Sequence, residues 1–366
     1  MNKKRSAFSG KIGYVLSAAG ASVGLGNIWR FPYLAAKYGG GIFLLVYIIL
    51  ALTFGYTMIV AESALGRMTR KSPVGAFRSF AKGKKVGWLS FGGWINAIIP
   101  VLIVPYYSVI GGWVVKYLFE YIRGNGSKLA EDGYFSGFIS NGGATEICFV
   151  IFCMFTLVII YAGVQNGIER VSKIMMPILI VLSVIIAIYS VTRPGAIEGV
   201  KYFLVPNVKN FSWMTVVAAM GQMFYSLSIA MGILVTFGSY MRKDTSIEDS
   251  TRNVEIFDTA IAMMAGLMII PAVFAFSGGD PDTLQAGPSL MFITIPKVFA
   301  NMGFGTAVGI LFFVLVLFAA VTSSIALTES AVSTFEDELG WGRKKATVLT
   351  GVIMIALGTL SCLGYG

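Results

Sequence analysis

Three short stretches of this chain carry side chains and backbone suited to holding small charged groups. The first is Gly20-Ala21-Ser22-Val23-Gly24-Leu25-Gly26-Asn27, where three glycines, a serine and an asparagine interrupt an apolar run. The second, Gly221 to Gly232, gathers Gln222, Ser226 and Ser228 among small and apolar residues. The third is Thr322-Ser323-Ser324, which follows Phe318-Ala319-Ala320-Val321. A helix broken at such places exposes its ends. Freed N–H groups and the positive dipole end receive a carboxylate, while freed carbonyls and hydroxyls replace the water around a hard cation. An amino-acid zwitterion and sodium fit that set of donors and acceptors together.

Other readings of the same residues compete. Gly20 and Gly24 form a Gly-x-x-x-Gly pair that lets helices pack closely in lipid, but packing alone does not call for Gly26 or Asn27. Hydroxyls in membrane helices often bond back to their own carbonyls, a reading that fits one serine better than three consecutive hydroxyls. Gly20-x-Ser22-x-Gly24 also has the form of a hydrolase nucleophile elbow. That form needs a strand, a sharp turn and a base, and the chain contains no histidine. The three cysteines, Cys148, Cys153 and Cys362, all lie in apolar runs, and no nucleotide-binding loop is present, so an enzyme is not expected.

The elements that must position these residues are membrane helices. Hydrophobic residues make up 56% of the 366 and charged ones 13%, far from the roughly 25% charged of an average soluble domain. About 20 apolar residues cross a bilayer, and nine segments qualify: about 12–38, 41–64, 88–118, 147–163, 174–192, 212–240, 254–277, 305–334 and 346–365. With the N-terminus inside, 19 of the 28 Lys and Arg fall on cytoplasmic pieces. The net charge of +10 is therefore read as loop bias in a multi-pass protein of the cell membrane, with the lipid bilayer and not nucleic acid as its partner. The outer loop 278–304, with its Gly-Gly-Asp-Pro opening and Gly287-Pro288 pair, is expected to fold into a structured lid. Two broken helices five spans apart point to an inverted-repeat transporter with its site at the midplane. The chain then reads as one transmembrane domain over 1–366, with repeat one at about 12–192 and an incomplete repeat two at about 212–365.

At four places the sequence resembles the neurotransmitter:sodium symporter family, in its bacterial amino-acid branch. They are Gly24-Leu25-Gly26-Asn27-Ile28-Trp29-Arg30-Phe31-Pro32, Gly39-Gly40-Gly41, Gln222-Met223-Phe224-Tyr225-Ser226-Leu227-Ser228, and Thr322-Ser323-Ser324 followed by Glu336-Asp337-Glu338-Leu339. The resemblance implies an all-α fold of five plus five spans with the first and sixth broken. It also implies sodium-coupled symport of an amino acid by alternating access, with two sodium ions. Carried over by position, sodium site one would use Ser22, Asn27, Ser226 and Asp258, and site two Gly20, Val23, Ala319, Thr322 and Ser323. The substrate carboxylate would meet the amides of Leu25 and Gly26 and the hydroxyl of Tyr107. Its ammonium would face Ser22, Tyr225, Ser226 and Ser228, and its side chain Ile103, Tyr225, Met231 and Leu327. That mostly apolar lining implies a neutral amino acid with an aliphatic, aromatic or sulfur-containing side chain. Arg30 would mark the outer gate, and Arg5 with Asp337 the inner one. Glu62 and Gln222 would be structural or gating partners.

Two departures from the family pattern matter. Some relatives place an asparagine at the sodium and a chloride or separate glutamate nearby; Asp258 could do both, so chloride is not expected to be required. A pairing of Asp258 with Arg252 is the competing reading. Family members also carry eleven or twelve spans against nine here, which leaves a fragment, or a transport-incompetent or regulatory subunit, as alternatives. In a proton-coupled carrier, the remaining alternative, Asp258 would titrate.

Overall fold

A computed structural model describes residues 6–81, 88–278 and 286–365. The chain is helical almost throughout; among the described residues no strand forms, and one isolated bridge joins Gly40 to Pro206. The first span is split. Helix α1 (Lys11–Ser22) ends at Val23, whose backbone is extended, and the chain resumes through a π-helical turn at Gly26–Arg30 into α2 (Phe31–Lys37). The second span joins α3 (Gly41–Leu50) to α4 (Tyr56–Thr69) through another π-helical turn at Ala51–Gly55. A short α5 (Pro73–Ala81) precedes the long α6 (Leu89–Ile122). Small helices α7 (Gly126–Leu129) and α8 (Tyr134–Ile139) lead into α9 (Gly142–Ala162), and a π turn at Val164–Glu169 opens α10 (Arg170–Val191).

The second half repeats the theme. After α11 (Ala196–Leu204), the sixth span is split into α12 (Trp213–Ser226) and α13 (Ile233–Tyr240). Then follow α14 (Ile247–Ser277), the short α15 (Ile295–Ala300), α16 (Gly305–Glu338) and α17 (Arg343–Leu363). Among the described residues seven helices are long and apolar enough to cross a membrane, and the two interrupted helices lie where the first and sixth spans were expected.

Helix starts differ from the expected limits where a polar cap extends the helix into water. Helix α9 begins at Gly142 and not 147, because the Asn141 side chain accepts the Ala144 N–H at 3.1 Å. Helix α14 begins at Ile247 and not 254: Ser246 accepts the Asp249 N–H at 3.3 Å, and Glu248 and Asp249 complement the dipole. Hydropathy marks only the part of a helix that lipid touches.

Large apolar side chains such as Leu52, Phe91, Ile151, Val181 and Leu360 face outward, while Asn27, Asp258, Glu329 and Ser323 are enclosed. That is the reverse of a water-soluble globule. Helix α13 lies almost backbone to backbone on α4. A Cβ at Gly66 would stand 2.0 Å from the Val235 carbonyl oxygen, and one at Gly238 2.4 Å from that of Ser63. Within the expected lid, a π turn at Leu290–Thr294 and α15 bury Leu290, Met291 and Phe292, with the Phe292 ring 4.9 Å from that of Tyr117. The Gly279-Asp280-Pro281 part of that loop lies outside the described residues.

Candidate functional site

Both breaks meet at the centre of the bundle. Residues 227–232, between α12 and α13, turn through three left-handed backbone positions, at Ser228 (φ 54), Ala230 (φ 62) and Gly232 (φ 70). Two of those three are not glycine, and each such residue costs on the order of 1 kcal/mol that its surroundings must offset. Glu62 of α4 supplies one such contact, accepting the Ala230 N–H at 2.7 Å.

Asp258, fully buried on α14, is the hub of the first cluster. Asn27 Nδ2 donates to Asp258 Oδ1 at 2.8 Å and to Ser226 Oγ at 2.9 Å. Ser226 Oγ lies 2.8 and 2.9 Å from the two carboxylate oxygens, and the Tyr47 hydroxyl donates to Oδ2 at 3.1 Å. Arg252, the competing partner, is exposed, and among the described residues no cationic side chain pairs with Asp258. A buried carboxylate with only neutral donors around it is costly as an anion. A cation in the cluster offsets that cost. Turning the Asn27 amide over would present its Oδ1 as one more oxygen ligand.

The second cluster is an excess of acceptors. Ser323 Oγ lies 3.3, 3.3 and 3.2 Å from the carbonyl oxygens of Gly20, Ala21 and Val23. One hydroxyl hydrogen serves one of them well, so the others remain available to a cation. Thr322 Oγ1 is 3.2 Å from the Ala319 carbonyl and 2.9 Å from that of Phe318. Of the five residues expected for site two, Gly20 and Val23 meet Ser323, with Ala21 added, while Thr322 bonds back to Ala319 within its own helix.

A cavity separates the two broken helices. Ser22, Leu25, Gly26, Ile103, Tyr107, Tyr225, Ser226, Ser228, Met231 and Leu327 all line it, as do Ala21, Gly24, Asn27, Ile233 and Ser323. The Leu25 N–H points at the Tyr107 hydroxyl, 3.3 Å away, so a donor pair sits where a carboxylate could bridge them. Glycine at 24 and 26 is required by close approach. A Cβ at 24 would lie 2.5 Å from Ser323 Oγ, and one at 26 would lie 2.5 Å from the Tyr225 ring.

Above the cavity, Arg30 donates to Gln222 Oε1 at 3.1 Å and its guanidinium lies 5.2 Å from the centre of the Tyr225 ring. Gln222 in turn donates to the Gly26 carbonyl at 3.1 Å. Below it, Asp337 accepts the Ser72 N–H at 2.6 Å; its expected partner Arg5 lies outside the described residues. Sequence reading did not single out Tyr47 or the Ala21 carbonyl. Neither has a local signal: Tyr47 sits in an apolar run, and a carbonyl carries no residue type.

Two discontinuous membrane helices with oxygen clusters beside their ends define a class, the ion-coupled carriers. The comparisons with known proteins narrow it. The model of the sodium:neurotransmitter symporter family matches residues 5–127 and 134–365, and the chain belongs to that family. It is 36% identical to the sodium-dependent transporter YhdH of Bacillus subtilis, over 98% of this chain and 79% of that protein. It is 34% identical to a sodium-dependent transporter of Haemophilus influenzae, over 99% and 80% respectively. The crystal structure of MhsT in complex with L-phenylalanine superposes with a TM-score of 0.88 at 39% identity, covering 99% of this chain and 82% of that one. The protein is a sodium-dependent membrane transporter of the inverted-repeat, broken-helix fold, and not an enzyme.

Proposed function

We propose that the chain carries a neutral, apolar amino acid inward across the cell membrane, coupled to two sodium ions, by alternating access. The carrying observation is the Asn27, Ser226 and Asp258 cluster at the wall of a cavity whose other walls are mainly apolar. In this reading the substrate carboxylate sits by the Leu25 and Gly26 amides and Tyr107, and completes the coordination of the first sodium. Each charge then lowers the cost of dehydrating the other, which makes their binding mutually favourable. The second sodium takes the carbonyls of Gly20, Val23 and Ala319 with the hydroxyls of Thr322 and Ser323. Ile103, Tyr225, Met231 and Leu327 receive the side chain; MhsT, similar over nearly this whole chain, holds L-phenylalanine. Arg30 and Asp337 belong to the gates, and the N-terminus is cytoplasmic.

Chloride is not required, because Asp258 itself provides the compensating negative charge. The test is binding and uptake of radiolabelled neutral amino acids by the purified, reconstituted chain. Saturable uptake that needs sodium and survives replacement of chloride by gluconate is expected. Uptake driven by a pH gradient with sodium absent would replace this reading by proton coupling, and loss of uptake in gluconate would refute chloride independence.

A further inference from the structure

Ile233 lines the central cavity, although it is none of the positions that the sequence assigned to the substrate. It is the first residue of α13, directly after the left-handed Gly232, and is 1% exposed. With Ile103, Met231 and Leu327 it makes the apolar part of the wall, while Ser226 and Ser228 belong to the polar part. Two of the four apolar side chains, Met231 and Ile233, come from the sixth span, and they differ in how far they can give way.

Met231 lies in the unwound turn and is half-buried, and its unbranched thioether bends around whatever it meets. Ile233 has no such freedom. Two carbons on its Cβ leave one strongly favoured χ1 in a helix. Its backbone is clamped as well. A Cβ at the adjacent Gly232 would stand 2.8 Å from the Asn96 carbonyl oxygen and 2.8 Å from Pro73 Cγ, and Val235, two residues on, lies against Gly66. Helix α13 therefore cannot slide back to enlarge the cavity. The cavity measures about 30 Å³, room for roughly two water molecules. In a wall packed this closely, a ligand carbon too many must displace a side chain or strain the backbone. An aliphatic chain turns about its bonds to follow such a wall, but a rigid ring needs its full width cleared at once.

On the reading that this cavity takes a neutral amino acid, we infer that Ile233 sets the upper size of the side chain admitted. Leucine, isoleucine, valine and methionine enter, and the rings of phenylalanine and tryptophan are turned away.

The test uses the purified full chain in detergent at saturating sodium. Apparent dissociation constants of leucine, methionine, phenylalanine and tryptophan are taken from the rise in melting temperature that each produces. Wild type is expected to hold leucine at least tenfold more tightly than phenylalanine, the discrimination that a misfit of one or two carbons produces in an apolar pocket. I233A should tighten phenylalanine at least tenfold and weaken leucine, with I233V between the two. Half-saturating sodium should stay as in wild type, because Ile233 brings no side-chain oxygen to either cluster. A merely structural role would weaken all four amino acids together. Helicity by circular dichroism checks folding, and I233V carries the comparison if I233A does not fold. Phenylalanine held as tightly as leucine by wild type, or a leucine-to-phenylalanine ratio that the substitutions leave unchanged, overturns the inference and leaves amino-acid transport standing. Failure of all four to bind in sodium overturns the transport reading and this inference with it.

Discussion

At the scale of single residues, Asp258 and Gly26 carry the sharpest consequences. Replacing Asp258 by asparagine keeps the shape and lets Tyr47 and Ser226 still donate, but removes the negative charge that a sodium ion would answer. We predict that D258N lowers sodium affinity at least tenfold, equivalent to about 1.4 kcal/mol, read by sodium titration of amino-acid binding. An unchanged sodium curve would remove Asp258 from the ion site. The Gly26→Ala change tests the pocket. Its new methyl would meet the Tyr225 ring at 2.5 Å, and that ring is held under Arg30. Substrate binding should fall more than tenfold with helicity unchanged; wild-type binding by G26A would show that Tyr225 does not border the substrate. Ser323→Ala removes the one hydroxyl facing three carbonyls, so sodium dependence should weaken while the cavity keeps its size.

At the scale of elements, the unwound turn of the sixth span depends on another helix. The Ala230 N–H has Glu62 Oε1 as its acceptor, and no helical carbonyl takes its place. In E62A that donor loses its acceptor, at a net cost of about 0.5 to 1.5 kcal/mol, whereas E62Q retains an acceptor oxygen. Thermal unfolding in detergent should therefore drop clearly for E62A and only slightly for E62Q. If both fall equally, the charge of Glu62 and not its hydrogen bond holds the turn. The same scale shows how far the sequence reached. Glycines and polar side chains inside apolar runs located both breaks, because lipid tolerates them only beside a cavity. The partners of those breaks were illegible: Glu62 and Ala230 are 168 positions apart, and nothing local links them.

For the whole molecule, the proposal makes stability depend on ligands. Whatever binds only the folded bundle stabilises it, by about 2.7 kcal/mol at a concentration one hundred times the dissociation constant. Sodium with a neutral amino acid should raise the melting temperature more than the sum of each alone, and choline in place of sodium should abolish the increment. Simple additivity would mean that the two sites do not touch. Arg30 and Gln222 above the cavity and Asp337 below it sit on elements that alternate access would separate, so their contacts must be weak enough to open. Hydrogen bonds of this kind contribute a net of about 0.5 to 1.5 kcal/mol each.

By itself, the sequence determined that the chain crosses membranes, where its helices break and which residue types stand at the breaks. These follow from composition and from the cost of unpaired backbone in lipid, which act locally along the chain. Only the tertiary structure decided that Asp258 takes Asn27, Ser226 and Tyr47 in place of Arg252, and that three carbonyls crowd one serine hydroxyl. It also placed Ile233 in the wall of the cavity. Such pairings depend on how separate helices rotate and pack, and many sequences with the same apolar pattern would satisfy lipid equally well with different partners inside.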